Sequence, residues 1–595
     1  DGVVVSANRS ETTRRLAPTL VNVVDLKLFE TTNSSTLSQG LNFQPGVRVE
    51  TNCQNCGFQQ VRINGLDGPY TQILIDSRPV FSALSGVYGL EQIPASMIER
   101  VEVMRGGGSA LFGSSAIAGT INIITKEPLR NSGQLSHTLT ALGGGSSFDN
   151  NTSLNASLVT DDHRAGLYIF GQNRHRSGYD YDGDGFTELP KLKNQTVGFR
   201  SYLKTSTYSK LTFEYHHMQE FRRGGDMLDR PPHEAHIAEQ LQHSIDGGSL
   251  KFDYFSPDEK NRLSIFASAA NTDRDSYYGP GNDPLKAYGK TTDLTAMGGA
   301  QYVHTFDKCF FMPSDLTAGL EYNRDRLKDN MWGYDRHTDQ TVNIYSAFLQ
   351  NEWKNDRWGI LIGGRLDKHN MVDNVIFSPR ANLRFNPTQN INLRLSYSSG
   401  FRAPQAFDED MHIENVGGTV AMIERAKNLK EEKSQSFSAS ADMYHRFGVF
   451  QTNFLIEGFY TRLTDVFVLG EPYDRGDGIL VKTRSNGPGA KVMGLTLEGK
   501  VAYLSILQIQ AGLTLQRSRY DEPHKWHDDA PAEKKIFRTP DTYGYFTATY
   551  TPIKPLSIAL SGTYTGRMLV QRMDITAENA ELGAMPERKA EAIRT

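Results

Sequence analysis

A run of carboxylates in a glycine-rich stretch carries the clearest chemistry of this sequence. Nine residues read Asp-Tyr-Asp-Gly-Asp-Gly-Phe-Thr-Glu, with carboxylates at Asp180, Asp182 and Asp184. Carboxylates at alternating positions, with glycines at the turns, supply the oxygen ligands that Ca²⁺ binds at about 2.3–2.6 Å. The twelfth position of an EF-hand loop holds a lysine here, so we expect a further ligand from Asp226 or Asp229. The alternative is a solvated acidic turn, because Asp-Gly is common turn chemistry.

Two closely spaced cysteines form a second candidate group. Cys53 and Cys56 flank a Gln-Asn pair, a spacing compatible with a redox pair, half of a zinc site or a small disulfide. A zinc site needs two more ligands at motif spacing, and no matching cysteine pair follows. In an oxidising compartment we expect a disulfide that closes a tight loop. The third cysteine, Cys309, receives no role.

Composition excludes some partners. The chain has 595 residues, with 64 Lys and Arg against 68 Asp and Glu, a formal net charge of −4. We therefore expect no nucleic-acid partner, since there is no basic footprint for phosphates.

No stretch has the roughly 18 apolar residues of a transmembrane helix. A transmembrane β-barrel is still possible, because its strands alternate lipid-facing and lumen-facing side chains.

Strand periodicity dominates the sequence from about residue 133 onward. Nineteen segments of alternating apolar and polar residues begin near positions 134, 150, 164, 196, 210, 246, 262, 293, 315, 342, 357, 377, 391, 434, 450, 490, 506, 543 and 556. Short turns alternate with long polar loops, the latter at about 174–195, 222–244, 325–341, 402–432, 470–488 and 520–540. This alternation is the architecture of an outer-membrane barrel, with short periplasmic turns and long external loops. A propeller or a stack of β-sandwiches is the soluble alternative.

The first 130 residues have a different texture, with mixed helix and strand signals and many glycines. We expect two domains, residues 1–130 and a barrel over 131–595. An antiparallel barrel whose chain enters and leaves on one side needs an even number of strands. Nineteen is odd, so we expect the barrel's last strands to be missing from this chain.

Four blocks of the N-terminal domain resemble the plug domain of TonB-dependent outer-membrane receptors. They are Ile75-Asp-Ser-Arg-Pro79, Gln92-Ile-Pro-Ala-Ser-Met-Ile-Glu-Arg-Val-Glu-Val103, Arg105-Gly-Gly-Gly-Ser-Ala-Leu-Phe-Gly113 and Ala116-Ile-Ala-Gly-Thr-Ile-Asn-Ile-Ile-Thr-Lys126. The resemblance implies an all-β membrane protein, with an N-terminal α+β plug inside a 22-stranded antiparallel outer-membrane barrel, about 19 strands of which lie in this chain. It also implies energy supplied through the TonB–ExbB–ExbD complex.

The N-terminal segment resembles the TonB box, which we assign to Val3, Val4 and Val5. A β-branched run suits capture by strand pairing, although a first plug strand is the alternative. The following residues, 11–24, most resemble the outer-membrane cobalamin receptors of this family. That resemblance implies a corrinoid substrate and supports calcium in the external loops.

Substrate contacts are expected at the plug apex, where Ser82, Ser85 and Tyr88 suit a ligand with amide and sugar groups. We expect a non-catalytic importer in the bacterial outer membrane, with membrane lipid around the barrel and room on the external loops for a surface lipoprotein. Haem and ferric siderophores are alternative substrates, and His233 and His236 could bind a metal or an iron porphyrin from one helix face. No nucleophile lies at suggestive spacing from a base, and an outer-membrane barrel enzyme is the alternative of another class.

Overall fold

The computed structural model describes residues 2–53, 57–78, 85–280, 287–416, 419–526, 530–575 and 588–594. The N-terminal part, the plug, contains eight strands and four short helices among these residues. Its strands are β1 (Val3–Val4), β2 (Thr12–Thr13), β3 (Val21–Asp25), β4 (Val47–Cys53), β5 (Phe58–Ile63), β6 (Thr71–Ile75), β7 (Ile98–Arg105) and β8 (Gly119–Thr125). Its helices are α1 (Leu26–Thr31), α2 (Leu37–Leu41), α3 (Ser85–Gln92) and α4 (Ser109–Phe112).

The plug is organised around a four-stranded mixed sheet. Its strand order is β3-β7-β8-β6, with β6 and β8 parallel and the other pairs antiparallel. Strand β8 reads Gly-Thr-Ile-Asn-Ile-Ile-Thr, and all but one of its residues are buried. β-branched side chains on both faces favour such a central strand. The sheet thus provides a rigid base for the plug loops.

The remaining strands are numbered in chain order. They are β9 (Ser132–Leu142), β10 (Ser147–Val159), β11 (Ala165–Arg176), β12 (Lys191–Ser206), β13 (Ser209–Gly225), β14 (Ile237–Phe255), β15 (Asn261–Pro280), β16 (Tyr288–Cys309), β17 (Met312–Met331), β18 (Arg336–Lys354), β19 (Trp358–His369), β20 (Ile376–Thr388), β21 (Ile391–Arg402), β22 (Glu414–Val416), β23 (Thr419–Arg425), β24 (Glu432–Phe447), β25 (Phe450–Thr464), β26 (Phe467–Leu469), β27 (Tyr473–Asp474), β28 (Leu480–Asn486), β29 (Ala490–Tyr503), β30 (Leu507–His524), β31 (Glu533–Lys535), β32 (Thr542–Ile553), β33 (Leu556–Thr565), β34 (Leu569–Ile575) and β35 (Arg588–Arg594).

Twenty of these strands form one antiparallel barrel sheet in chain order: β9–β21, β24, β25 and β29–β33. Strands β22, β23 and β26–β28 form a small separate sheet in the loops between barrel strands. That loop region also contains helix α5 (Asp408–Met411). Short 3₁₀ turns lie at Arg14–Leu16, Gly68–Tyr70, Ala95–Met97, Pro232–Glu234 and Trp332–Tyr334.

The barrel is apolar outside and polar inside. Leu320 and Ile362, for example, are 66% and 58% exposed, whereas Arg174 and Asn194 are 2% and 1% exposed on the lumen side. This alternation is inverted relative to a soluble β-protein and suits an outer wall in contact with lipid. No helix among the described residues is long and apolar enough to cross a membrane.

The first and last strands of the barrel sheet differ from the rest. Neither β9 nor β33 contains a buried residue, and the side chains on both faces of each strand are mostly exposed. The strands between them carry the buried lumen side chains. The buried lumen side chains that face the plug therefore come from the intervening part of the wall.

Nineteen long strands agree with the nineteen predicted segments, and the twentieth is the three-residue β31. Such a short strand carries no periodicity. The loop predicted at 325–341 was wrong: only residues 332–335 separate β17 from β18. Strand β14 likewise begins at Ile237 rather than near 246. These strands project beyond the apolar belt, where alternation no longer marks them.

Candidate functional site

The acidic loop between β11 and β12 brings four carboxylates together. Ligand oxygens of Asp180, Asp182, Asp184 and Glu188 all lie within 4.8 Å of one another. The Asp180 carboxylate also accepts hydrogen bonds from two loop amides, those of Gly183 at 2.7 Å and Gly185 at 2.9 Å. The loop is thus wound around its acidic groups, and all the ligand atoms that it offers to a cation are oxygens.

Two further contacts close this loop. The Tyr181 amide donates to Glu188, and the Glu188 amide donates to the Tyr179 carbonyl at 2.9 Å. Glu188 therefore reaches the other carboxylates because the chain turns back on itself. Sequence spacing does not single out Glu188, because an EF-hand places its glutamate three positions later.

Asp226 lies in the next loop, but the structure does not bring it into the acidic group. Its carboxylate accepts hydrogen bonds from the backbone amides of His236 at 3.0 Å and Ile237 at 3.1 Å, and lies 2.5 Å from the His236 Nδ1. The fourth carboxylate of the acidic group is thus Glu188 rather than the expected Asp226. Asp226 instead fixes the loop that leads into β14.

The two histidines proposed to share a helix face have separate partners. His233 lies in a 3₁₀ turn with its Nδ1 3.0 Å from the Tyr288 hydroxyl, whereas His236 contacts Asp226. The structure therefore does not bring them together for one metal.

The plug apex is described only in part. Ser82 lies outside the described residues, and so does Cys56 of the expected disulfide. Ser85 and Tyr88 fall in the backbone of α3, but their side chains lie outside the described part. Their contacts with substrate stay predictions.

The end of α3 is tied to the barrel wall by a buried ionic cluster that the sequence did not reveal. Glu91 accepts hydrogen bonds from Arg222 at 2.7 Å, Arg176 at 3.0 Å and Arg174 at 3.1 Å. All four side chains are nearly inaccessible to solvent. Burial alone would raise the pKa of Glu91, but the three guanidinium groups lower it well below its usual range.

The cluster continues along the wall to the external loops. Arg222 donates to Glu220 at 2.7 Å, whose carboxylate lies 3.5 Å from His243. Arg274 donates to His243 at 2.8 Å, and its two terminal nitrogens contact Asp408 at 2.7 and 3.1 Å. A chain of buried polar groups therefore connects plug helix α3 with loop helix α5.

The N-terminal segment assigned as a TonB box lies against the plug sheet. Val3 and Val4 form β1, which pairs with β2. The Glu102 carboxylate accepts hydrogen bonds from the Val5 amide at 2.9 Å and from the Ser6 amide and hydroxyl at 2.8 and 2.7 Å. Val3 is 44% exposed and Val4 is fully buried. The segment is thus held by the Glu102 carboxylate, by the pairing of β1 with β2 and by the burial of Val4.

A cavity of about 410 Å³ lies beside this segment. Its lining includes Val5, Glu11, Asp253 and Arg262, the last two of which flank the short turn between β14 and β15. The N-terminal segment therefore borders free space on the short-turn side of the barrel. The long loops and the acidic group lie on the opposite side.

A barrel with a lipid-facing outer wall and a folded domain in its lumen defines a plugged outer-membrane receptor. Family models agree. "TonB dependent receptor-like, beta-barrel" matches residues 119–580, and "TonB-dependent Receptor Plug Domain" matches residues 13–120. The chain belongs to the TonB-dependent receptor family, whose members are receptors and transporters in the outer membrane of Gram-negative bacteria. The predicted family, fold class and location are confirmed.

Curated relatives include two proteins described as "Vitamin B12 transporter BtuB" from Vibrio vulnificus. The protein of strain CMCP6 is 25% identical over 424 residues, which cover 69% of this chain and 64% of the relative. That of strain YJ016 is 29% identical over 237 residues, 35% of this chain and 39% of the relative. The matches thus span less than two thirds of these relatives.

Solved structures show the same fold. The siderophore receptor PirA from Acinetobacter baumannii has a TM-score of 0.78 at 17% identity, covering 98% of this chain and 91% of PirA. A mutant of the ferric enterobactin receptor PfeA from Pseudomonas aeruginosa has a TM-score of 0.77 at 17% identity, covering 100% of this chain and 91% of that receptor. At this identity, the likeness concerns the fold.

Proposed function

We propose that this protein imports cobalamin or a related corrinoid actively across the outer membrane, without catalysing a reaction. The observation that carries the proposal is the sequence similarity to proteins described as vitamin B12 transporters. The plug that fills the lumen supports active rather than passive transport, because a substrate can pass only after the plug has moved. Haem and ferric siderophores are the competing substrates, and some structural neighbours that share the fold are named as siderophore receptors.

Energy for this movement is proposed to come from the TonB–ExbB–ExbD complex, acting on the segment Val3–Val5. At the end of this segment, Glu102 accepts one hydrogen bond from Val5 and two from the adjacent Ser6, and a cavity of about 410 Å³ lies beside Val5. Strand addition to a short extended segment supplies affinity through backbone hydrogen bonds. A pull on this segment would act directly on Glu102, which lies in β7 of the plug sheet.

The loop of Asp180, Asp182, Asp184 and Glu188 is proposed to bind calcium. The donor set fits this hard cation, because all the ligand atoms are oxygens and lie within 4.8 Å of one another. Bound calcium would offset part of the repulsion among four crowded negative charges and hold the loop for substrate. A surface lipoprotein resting on the long loops is a further proposed partner.

The test is a binding measurement on the purified full chain with cyanocobalamin, haemin and ferric enterobactin. Each ligand is titrated into the protein twice, once in the presence of 1 mM Ca²⁺ and once in the presence of a calcium chelator. We expect saturable cobalamin binding that weakens about tenfold or more on chelation. Without calcium the loop must become ordered when the substrate binds, and the lost conformational entropy reduces the affinity. Saturable haemin or enterobactin binding without cobalamin binding would overturn the substrate assignment.

A transport assay tests the energy source. Cells that express the full chain in a strain lacking its own cobalamin receptor are compared with and without TonB. We expect cobalamin uptake only when TonB is present. Equal uptake in both strains would contradict energised import, while binding to purified protein would still report the substrate separately.

A further inference from the structure

A second group of metal-ligating side chains lies where the plug, the barrel wall and an external loop meet. Cys53 ends plug strand β4, Glu239 lies in wall strand β14, and His412 follows loop helix α5. The Cys53 Sγ lies 3.3 Å from the Glu239 Oε2, and the His412 Nε2 lies 3.6 Å from the same oxygen. All three ligand atoms lie within 4.8 Å of one another.

These separations suit a tetrahedral metal ion. Zinc lies about 2.3 Å from thiolate sulfur and about 2.0–2.2 Å from imidazole nitrogen or carboxylate oxygen. Two ligands at the tetrahedral angle are then about 3.3–3.7 Å apart, which covers both distances to the Glu239 oxygen. The histidine–carboxylate distance of 3.6 Å is longer than an ordinary hydrogen bond.

The surroundings favour a positioned site. The His412 ring packs edge-on against Tyr278, with ring centroids 5.4 Å apart. Cys53 packs against an apolar cluster that includes Tyr278 and Ile413. Glu239 is only 4% exposed. An apolar shell excludes water and strengthens the attraction between a cation and anionic ligands.

We propose that Cys53, Glu239 and His412 bind a borderline-soft divalent cation such as Zn²⁺, with a fourth position left for water or another ligand. Sulfur and nitrogen ligands distinguish this site from the all-oxygen loop at Asp180, because Ca²⁺ prefers oxygen. The bound ion would join the plug to the wall and to the external loop. It requires a Cys53 thiolate, and so it excludes the disulfide with Cys56 that the sequence suggested.

The experiment measures Zn²⁺ binding by the full chain, kept reduced and freed of metal by dialysis against a chelator. A chromophoric chelator competes for added Zn²⁺, and X-ray absorption at the zinc edge identifies the ligands. We expect one tight Zn²⁺ per chain, with a sulfur neighbour at about 2.3 Å. Cys53→Ser and His412→Gln are expected to weaken binding about 100-fold or more, beyond the loss caused by an outer-shell change.

Two matched variants serve as controls. Cys309→Ser removes the other described cysteine, and Asp182→Asn alters the acidic loop, and both are expected to retain the tight Zn²⁺. Retention of a folded barrel is checked by heat-dependent electrophoretic mobility. The X-ray absorption spectrum is recorded on the wild-type protein, so it does not depend on whether a variant folds. A spectrum in which zinc has no sulfur neighbour overturns the proposal. A Cys53–Cys56 disulfide detected by mass spectrometry in protein isolated from outer membranes overturns it as well.

Discussion

The Arg222 Nη1 atom on the barrel wall donates a 2.7 Å hydrogen bond to the Glu91 Oε2 atom of the plug. Both side chains are buried, and Arg174 and Arg176 donate to the other Glu91 oxygen. Glu91 is therefore the anion that the three wall guanidinium groups share, while Arg174 also pairs with Asp149 and Arg222 with Glu220. A neutral residue at position 91 leaves these cations buried together without their shared anion.

Replacement Glu91→Gln is expected to release helix α3 from the wall. Removal of one partner from a buried ionic group costs about 3–5 kcal/mol, which corresponds to at least ~100-fold faster hydrogen exchange of α3 amides if they open locally. Exchange followed by mass spectrometry measures this. Glu99→Gln is the matched control, because its carboxylate is 43% exposed and 3.6 Å from Arg100, and exposed pairs contribute about 0–1 kcal/mol. Equal protection of the α3 amides in Glu91→Gln and Glu99→Gln would refute the role of Glu91 in holding α3 against the wall.

The stability difference between the wild type and Glu91→Gln is expected to depend on pH. The pKa of Glu91 is lowered in the folded protein, because the three arginines outweigh the effect of burial. Its stabilising contribution is therefore complete above the unfolded pKa of about 4.3 and is lost as the pH falls from there toward the folded pKa. The difference in α3 stability between the wild type and Glu91→Gln should stay constant from pH 7 to about 5 and shrink in stronger acid. Denaturant unfolding at several pH values checks this, and a difference that grows in acid contradicts it.

The barrel strands were predictable from the sequence, but the buried ionic cluster around Glu91 was not. Alternation along each wall strand is a local signal, since the apolar outer face and polar lumen face repeat every two residues. Glu91 is 83, 85 and 131 positions away from its three arginine partners. Those contacts exist only after the barrel has curved around the plug. A lone Glu in Leu-Glu-Gln gives no sign of them.

The acidic loop was predictable in part for the same reason. Asp180, Asp182 and Asp184 are close in sequence, so their convergence is a local property. The fourth carboxylate depends on the return of the chain through the Tyr179–Leu189 bridge. Position counting alone could not reveal that return. Cys53, Glu239 and His412 are an extreme case, because three separate elements bring them together.

Glu188→Gln is expected to weaken the proposed calcium binding at the acidic loop about tenfold or more. The change removes one of the four carboxylates of the acidic group, and the charge and number of ligands set calcium affinity. Isothermal titration with Ca²⁺ measures the loss. Asp226→Asn is the informative comparison, because that carboxylate contacts His236 and Ile237 instead. A larger loss in Asp226→Asn than in Glu188→Gln would reverse the assignment of the fourth ligand.

Glu102→Ala is expected to free the N-terminal segment. The carboxylate accepts three hydrogen bonds from Val5 and Ser6, and bonds to charged groups contribute about 1.5–3 kcal/mol each. Amides of Val5 and Ser6 should exchange at least ~10-fold faster than in the wild type, while barrel amides stay unchanged. Hydrogen exchange measures both regions in one experiment. Unaltered exchange at Ser6 would show that the pairing of β1 with β2 holds the segment without Glu102.

Gly107 tests how closely the plug is fitted against the wall. A Cβ atom at this position would lie 2.9 Å from the Ser399 carbonyl oxygen and 3.0 Å from its carbon. Because backbone atoms cannot rotate away as a side chain does, Gly107→Ala must displace the plug loop from β21. Overpacking typically costs about 1–3 kcal/mol.

The measurement for Gly107→Ala is exchange of the Gly107-position amide, which in the wild type donates to the Ser436 hydroxyl at 3.2 Å. We expect faster exchange there by about 5- to 100-fold. Gly458→Ala is the control, since a Cβ at Gly458 would have no atom within 4 Å and such a change is usually within about 0.5 kcal/mol. If both alanine variants exchange like the wild type, the plug loop has room to move away from β21, and the close approach at Gly107 does not constrain it.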